Sequence, residues 1–263
     1  CLYVRHFDCS NVMSCNSNSD YTNNLNIFEN RIIIITKQNH LLMNSELRKA
    51  KILNPLDTLE DWMKEVSDSN TQPNPNCMSI ATVDSNGSPN SRMVLCKELD
   101  AENGFLTFYT NYSSIKSEEL KNNSKCSALF HWDKFGYQVR LKGFVDKCAD
   151  SKNDAYFSTR DIGSQIAAWA SDQSKEIESL EKMEDSYQKI MNKFQIKSLD
   201  EAKAIKLPRP DFWGGYDLWI EEIELWKNRK NRFHDRLKFK RIISIENGKI
   251  DAEKKWDSVR IQP

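Results

Sequence analysis

The chain has 263 residues, 39% of them hydrophobic, which is enough for one large folded domain or two small ones. Its 38 lysines and arginines equal its 38 aspartates and glutamates in number, so no overall positive field would attract nucleic acid or an anionic membrane. No apolar run approaches the ~20 residues of a membrane-spanning helix, so we expect a globular protein that binds any anion locally.

The cysteines and histidines lack the spacing of a metal site. The seven cysteines include no C-x-x-C pair, and the four histidines (His6, His40, His131 and His234) are far apart. This pattern indicates neither a zinc site nor a disulfide framework. It favours a reduced, cytoplasmic setting.

The first part of the chain differs in character from the rest. Residues 1–42 are rich in asparagine and serine and have no sustained hydrophobic period, which is typical of a disordered or non-native leader. We expect one folded domain over residues 43–263, with Met43 as a natural start. A first helix is indicated by apolar residues at helical spacing after Asn54-Pro55: Leu56, Leu59, Met63 and Val66.

Strands are predicted next. Cys77–Val83 is a strand that ends at the turn Asn86-Gly87. Residues 91–116 then predict a hairpin, with strands at Arg92–Glu98 and Phe105–Thr110 around Asn103-Gly104. A short helix capped by Ser113 or Ser114 and ending near Asn122 follows, and two further strands are predicted at Lys125–Trp132 and Gln138–Lys147.

Helices and then strands complete the chain. Helices are expected at Asn153–Thr159 and Ser164–Ala170, and a longer one has an apolar stripe that we assign to the core: Ile177, Leu180, Met183, Tyr187, Ile190 and Phe194. Later strands are expected at Tyr216–Ile220, Ile223–Trp226 and Asp235–Ile243, with a last hairpin from Asn247-Gly248 into Trp256–Ile261. Strands on both sides of a helical insertion favour one antiparallel barrel over two domains.

Two groups of cations are candidate functional residues. Arg92, Lys97 and Lys116 lie in or beside the predicted hairpin, where the free N–H groups of a helix start would suit a phosphate. The alternative is an ordinary hairpin with exposed charges. Ideal alternation puts Arg92 and Lys97 on opposite faces of their strand.

The second group is Arg232-Phe233-His234-Asp235-Arg236. In an extended chain, the side chains of Arg232, His234 and Arg236 would share one face. A solvated surface strand is the alternative explanation for this group.

The order of the motifs closely resembles the pyridoxine (pyridoxamine) 5′-phosphate oxidase family, from about Pro55 to Pro263. The motifs are residues 91–116, Y-F-S-T-R at 156–160, G-S-Q-I at 163–166, W-G-G-Y at 213–216, E-L-W at 224–226, R-F-H-D-R at 232–236 and the ending W-D-S-V-R-I-Q-P. The resemblance implies a mainly β fold with packed helices (α+β), a split β-barrel of antiparallel strands. It also implies a homodimer with FMN between the subunits. The implied reaction oxidises pyridoxine or pyridoxamine 5′-phosphate to pyridoxal 5′-phosphate, with O2 as acceptor and H2O2 as by-product.

The resemblance also implies the site residues. Flavin contacts would be Arg92, Met93, Val94, Leu95, Lys97, Tyr109, Thr110, Lys116, Gln138, Gln173, Ser174, Trp226 and Arg236. Substrate contacts would be Lys97, Tyr156, Arg160 and Ser164 at the phosphate, with Arg232 and His234 at the pyridine ring as the catalytic residues. Arg160 and Ser164 would be one turn apart if helical. No metal is implied.

Three positions depart from the family pattern. Ile115 stands where an arginine is usual, Ala167 replaces a glycine, and Asp161-Ile162 replaces a proline-containing pair. Losing a charged partner at residue 115 would weaken binding of the FMN phosphate. A second hypothesis therefore stays open, a weakly active or non-catalytic paralogue that binds pyridoxal phosphate or flavin.

Overall fold

The structure is a computed structural model that describes residues 54–202, 205–246 and 249–263. The predictions for residues 1–42, for a start at Met43 and for the turn at Asn247-Gly248 lie outside these ranges. Within them, no helix is both long and apolar enough to cross a membrane.

The described ranges contain five α-helices and eleven strands. The helices are α1 Pro55–Asp68, α2 Ile115–Asn122, α3 Asp150–Thr159, α4 Ile162–Ala170 and α5 Leu180–Lys193. The strands are β1 Cys77–Val83, β2 Pro89–Leu95, β3 Glu98–Asp100, β4 Phe105–Asn111, β5 Lys125–Trp132, β6 Tyr137–Lys147, β7 Trp213–Lys227, β8 Asp235–Lys240, β9 Ile243–Glu246, β10 Lys249–Ala252 and β11 Asp257–Arg260.

Nine strands form one curled antiparallel sheet. The neighbours in order are β11, β8, β7, β6, β5, β1 and β2, while β4 pairs with β7 and β3. The first half of β7 lies between β4 and β6, and its second half lies between β6 and β8. The sheet therefore curls until β2 and β4 contact each other without pairing. This opening splits the barrel, and the predicted split β-barrel is confirmed.

The hairpin over residues 92–110 differs from the prediction. β2 ends at Leu95 and pairs with β1, whereas β3 pairs with β4 around Gly104, which has a φ of +83°. The N–H of Cys96 still bonds to the β1 side at Asn76 O, but the N–H of Lys97 bonds to Thr107 O in β4 (2.8 Å). A single strand over Arg92–Glu98 is therefore wrong, because the chain changes neighbour between Cys96 and Lys97.

A β-bulge lies in the pairing of β6 with β7, a single strand for which the sequence predicted two. The register between β6 and β7 shifts between Lys142 and Gly143. A Cβ at Gly143 would lie 1.8 Å from the carbonyl oxygen of Trp219, so only glycine fits this crossing. The predicted strands Tyr216–Ile220 and Ile223–Trp226 are thus one bulged strand, β7.

The C-terminal strands also differ from the prediction. β8 ends at Lys240 and β9 begins at Ile243, so Asp235–Ile243 is not one strand. The backbone N–H of Arg241 still donates to Glu221 O (3.0 Å), and its buried side chain donates to the carbonyl of Gly104 (2.6 Å). β9 pairs with β10 in a separate two-stranded sheet, and β11 pairs with β8. The predicted hairpin into Trp256–Ile261 is therefore wrong, since β10 is the strand that pairs with β9.

The helices α3 to α5 cover one end of the sheet. Phe157, Ile166 and Met191 belong to a buried apolar cluster, on which Tyr187, Ile190 and Phe194 of the predicted stripe pack. Ile177, Leu180 and Met183 are 54%, 62% and 49% exposed. The assignment of the whole stripe to the core is therefore wrong, because only its C-terminal half lies against the cluster.

Candidate active site

A cavity of about 990 Å³ lies at the opening between β2 and β4. Helix α2 borders it on one side and the α3–α4 corner borders it on another. Most of the predicted site residues line this cavity: Arg92, Met93, Val94, Leu95, Lys97, Tyr109, Thr110, Lys116, Tyr156, Arg160, Ser164, Gln173 and Ser174. Arg92 and Lys97 line the same space because they lie in different segments, so the prediction that they occupy opposite faces of one strand is wrong.

Lys116 provides one charged end of the cavity. It lies in the first turn of α2, and its Nζ donates to Thr110 Oγ1 (3.0 Å), Ser114 Oγ (3.0 Å) and Gln173 Oε1 (2.9 Å). Burial, and secondly the nearby Arg92, lower the pKa of Lys116 to about 8. An anion at this end would stabilise the charged form of Lys116, because a negative charge favours the ammonium.

Arg92 is held beside Lys116 by the buried carboxylate of Glu119. Arg92 Nη2 lies 3.2 Å from Glu119 Oε2, and its Nη1 donates to Thr82 Oγ1. Glu119 also accepts hydrogen bonds from the Thr82 hydroxyl and the Asn90 amide. Two cations, the hydroxyl of Thr110 and the start of a helix therefore meet at one end of the cavity, which is a strong arrangement for a phosphate.

A second cationic group lies beside a stack of aromatic rings. Tyr109 stacks on Tyr156 (3.9 Å between ring centroids) and on Trp213 (5.3 Å). The Arg160 guanidinium lies 4.7 Å from the Trp213 ring centroid, and Lys97 Nζ lies 6.0 Å from that of Tyr156. Both cations therefore lie against aromatic rings, and neither forms an ion pair with a carboxylate among the residues that the structure describes.

Arg160 has an unsatisfied donor. Its Nη1 is buried and has no hydrogen-bond partner in the described part of the chain. Burial lowers the pKa of this guanidinium, which is the sign of a charge that lacks compensation. A buried cationic N–H of this kind is satisfied when an anionic ligand accepts from it.

Ser164 lines the cavity, but its position relative to Arg160 differs from the prediction. Arg160 is the extended residue after α3, and Asp161 caps α4, so Arg160 and Ser164 do not lie one turn apart on a helix. The Asp161 carboxylate accepts from the backbone N–H of Ser164 (2.8 Å) and from its hydroxyl (2.6 Å). Asp161, one of the departures from the family pattern, thus makes an ordinary N-cap.

The other predicted residues lie outside this cavity. Gln138 borders a separate hollow of about 450 Å³ on the outer face of β5, β6 and β7. Trp226 contacts His234 (4.6 Å between ring centroids), and His234 and Arg236 border a third hollow near the C-terminus. The structure therefore places Gln138, Trp226, Arg232, His234 and Arg236 apart from the first group.

Arg232 does not share a strand face with His234 and Arg236. Its φ of +59° belongs to a turn, and β8 begins only at Asp235, so the predicted common face is wrong. Arg236 Nε donates to the buried Glu224 (2.8 Å), and the backbone N–H of Arg229 donates to His234 Nδ1 (3.4 Å). The second bond leaves Nε2 of His234 as the nitrogen available to a ligand.

Ile115 lines the phosphate-suited end as an apolar residue. It is the first residue of α2 and its side chain is 45% exposed. Sequence reasoning missed Glu119, Thr82 and Trp213 as parts of the site. Glu119 gave no signal of its own, because its partners come from β1 and β2, which only the fold brings to α2.

Two family models match this chain. A family model described as pyridoxamine 5′-phosphate oxidase matches residues 69–193, and one described as the pyridoxine 5′-phosphate oxidase C-terminal dimerisation region matches residues 213–263. Pyridoxine/pyridoxamine 5′-phosphate oxidases are 38% identical in Cupriavidus taiwanensis (80% of this chain, 89% of the relative) and 40% identical in Paraburkholderia phytofirmans (the same shares).

Solved structures share the fold. PhzG from Burkholderia lata 383, in complex with tetrahydrophenazine-1-carboxylic acid, has a TM-score of 0.67 at 25% identity and covers 80% of this chain and 93% of its own. An FMN-binding, pyridoxamine 5′-phosphate oxidase-related protein from Nostoc punctiforme has a TM-score of 0.58 at 14% identity and covers 80% and 99%. The matched segments and the identity of the relatives establish that this chain belongs to the pyridoxine/pyridoxamine 5′-phosphate oxidase family.

Proposed function

We propose that this chain is an FMN-dependent oxidase that converts pyridoxine or pyridoxamine 5′-phosphate to pyridoxal 5′-phosphate, with O2 as acceptor and H2O2 as second product. The observation that carries the proposal is one cavity with two separate cationic groups. Arg92 and Lys116 form the first, and Lys97 and Arg160 form the second. Two phosphate-bearing ligands, a cofactor and a substrate, would satisfy both groups.

The first group fits the phosphate of FMN. Lys116 and Arg92 supply charged donors, and the N–H groups at the start of α2 add to them. Residues Met93–Leu95 of β2 line the wall between the two groups and offer backbone groups to the polar edge of a flat ring.

The second group fits the phosphate of the substrate. Arg160 Nη1 is buried and has no partner within residues 54–202, 205–246 and 249–263, and Lys97 and Ser164 line the same cavity. A phosphate monoester carries more charge than a carboxylate, so two cations that form no ion pair within the described residues favour it over a ligand such as tetrahydrophenazine-1-carboxylic acid. Tyr156 would cover the ligand from the side of the aromatic stack.

The remaining residues imply a homodimer. Gln138, Trp226, Arg232, His234 and Arg236 lie on other surfaces of the same chain. Four of them lie within residues 213–263, which the family model describes as a dimerisation region. We infer that they reach the cavity of a second subunit, so that each site takes residues from both chains.

The protein would bind the cofactor and the substrate, orient the substrate ring and exclude water from the site. Arg92, Lys116 and the backbone of Met93–Leu95 would hold FMN, which would supply the redox chemistry for oxidation of the substrate at C4′ with O2 as acceptor. Arg160, Lys97 and Ser164 hold the substrate phosphate, and Arg232 and His234 orient the pyridine ring from the partner subunit. Tyr109, Tyr156 and Trp213 exclude water from one side. Such a redox enzyme, with free thiols at Cys96, Cys126 and Cys148, belongs in the cytoplasm.

A second candidate is a non-catalytic paralogue that binds flavin or pyridoxal phosphate. Ile115 favours it, because an exposed apolar side chain stands at the phosphate-suited end of the cavity. The Arg160 donor, which has no partner in the described part of the chain, favours the enzyme, since a substrate phosphate would accept from it.

Steady-state turnover distinguishes the candidates. Purified protein with saturating FMN is supplied with pyridoxine 5′-phosphate or pyridoxamine 5′-phosphate in air, and pyridoxal 5′-phosphate and H2O2 are measured separately. We expect equal amounts of both products, and far lower activity with pyridoxine, which lacks the phosphate. Tight binding of pyridoxal 5′-phosphate without turnover would support the paralogue. Turnover of tetrahydrophenazine-1-carboxylic acid alone would contradict the proposed substrate.

Mixed subunits test the shared site. Arg160→Ala and Arg232→Ala are each expected to lower activity strongly, and they lie on opposite sides of the proposed interface. When the two variants are mixed and their subunits exchanged, half of the mixed dimers' sites are intact, so about a quarter of wild-type activity returns. Activity that stays at the level of the separate variants would contradict a site built from two chains.

A further inference from the structure

Glu119 lies at the centre of a buried polar cluster behind the cavity. Its carboxylate is 5% exposed, and Thr82 is fully buried. Oε1 accepts from Asn90 Nδ2, while Oε2 accepts from the Thr82 hydroxyl and lies 3.2 Å from Arg92 Nη2. The cluster joins three elements, because Thr82 comes from β1, Asn90 and Arg92 from β2, and Glu119 from α2.

The cluster fixes the direction of the Arg92 guanidinium. Nη2 is held by Glu119, and Nη1 is held by Thr82 and by the carbonyl of Asn90 (3.3 Å). Thr82 both accepts from Arg92 and donates to Glu119, so the three groups close a ring of hydrogen bonds. In the described part of the chain the Nε–H of Arg92 has no hydrogen-bond partner, and Arg92 lines the cavity. A planar guanidinium with two corners fixed has little rotational freedom left.

Glu119 also balances the charge at this end of the cavity. Arg92 and Lys116 are like charges near each other, and Glu119 is the acidic group in contact with Arg92. Burial acts to raise the pKa of Glu119, but the hydrogen bonds from Thr82, Asn90 and Arg92 outweigh it, so the pKa is lowered. The carboxylate is therefore ionised at neutral pH. Its charge opposes the effect of Arg92 on the pKa of Lys116.

From this geometry we infer that Glu119 is a positioning residue that acts through Arg92 and Lys116 to bind the flavin phosphate. The inference rests on the proposed function, since that function assigns this end of the cavity to FMN. Glu119 itself lies behind Arg92, and neither it nor Thr82 lines the cavity. Glu119 would therefore strengthen binding of the flavin phosphate and would not affect binding of the flavin ring.

Comparing FMN with riboflavin tests the inference, because riboflavin has the same ring and no phosphate. The dissociation constants of both flavins are measured by fluorescence quenching on flavin-free full-length protein. Glu119→Gln keeps the size and an acceptor oxygen but removes the charge. Glu118→Gln is the matched control, because its carboxylate lies on the same helix but pairs with the exposed Lys175 (3.0 Å). Thr82→Val is the second test variant, because it removes the hydroxyl that links Arg92 to Glu119 and leaves every charge in place.

We expect Glu119→Gln to weaken FMN about tenfold or more and to leave riboflavin unchanged, since Arg92 is then no longer held for its charged contact with the phosphate. Thr82→Val should act in the same direction, and it carries the test alone if Glu119→Gln yields no folded protein. Glu118→Gln should change neither constant. Equal weakening of FMN and riboflavin would overturn the inference, because Glu119 would then only support the fold. Unchanged or tighter FMN binding would overturn it as well. Wild-type protein that binds FMN no better than riboflavin would instead contradict the proposed phosphate site.

Discussion

We expect Lys116 to make the affinity for FMN depend on pH. Burial, with Arg92 as the second cause, lowers its pKa to about 8, so the free protein loses this positive charge as the pH rises through that value. A bound phosphate dianion favours the ammonium and raises its pKa in the complex. Binding above this pH therefore takes up a proton, and the affinity for FMN should fall by up to about tenfold per pH unit. From about pH 7 to about pH 9 the expected loss is roughly tenfold.

Fluorescence titration of flavin-free protein at several pH values measures this loss. Lys116→Arg is the matched control, because a guanidinium stays charged across the whole range. Its FMN affinity should therefore not change with pH, whatever its absolute value. Riboflavin, which lacks the phosphate, should bind wild-type protein equally well throughout. A constant FMN affinity of the wild type, or an equal decline for riboflavin, would refute the reasoning.

Three further predictions concern single substitutions. Ile115→Arg should tighten FMN binding by adding a phosphate partner at the start of α2, without changing the KM for substrate at saturating flavin. Arg160→Ala should chiefly raise KM, whereas Arg232→Ala should also lower kcat, which steady-state kinetics separate. Arg241→Met should lower the free energy of unfolding by roughly 3 kcal/mol in urea titrations. It removes the buried guanidinium that bonds to the carbonyls of Ile220 (2.8 Å) and Gly104 (2.6 Å).

Local sequence patterns were sufficient for several elements. The strand β1 alternates buried and half-buried residues as its sequence indicates, and α1 begins at the predicted Asn54-Pro55, where the Asn54 side chain caps the helix. The points at which the chain changes its neighbouring strand were not predictable in this way. The chain leaves β1 for β4 between Cys96 and Lys97 because of a bond to Thr107, and such a choice depends on a strand that comes later in the chain.

Some residues of the candidate site were predictable from the sequence, and others were not. Lys116 and Arg92 were identified from residue type, position and family resemblance, and both line the cavity. Glu119 was missed, because nothing in its own neighbourhood of the sequence marks an acidic residue on a short helix as a partner of Arg92. The position of Arg232 was wrong because a local turn with positive φ interrupts the assumed extended chain.

Anaerobic mixing of the FMN-loaded protein with pyridoxamine 5′-phosphate tests the central claim most directly, because it follows the flavin itself. The account predicts that the visible flavin absorbance is lost on mixing, that it returns when O2 is admitted, and that pyridoxal 5′-phosphate is formed in an amount equal to the reduced flavin. Pyridoxamine without its phosphate should reduce the flavin far more slowly at the same concentration. Flavin that stays oxidised in folded protein with saturating pyridoxamine and pyridoxine 5′-phosphates would contradict the assignment as an oxidase.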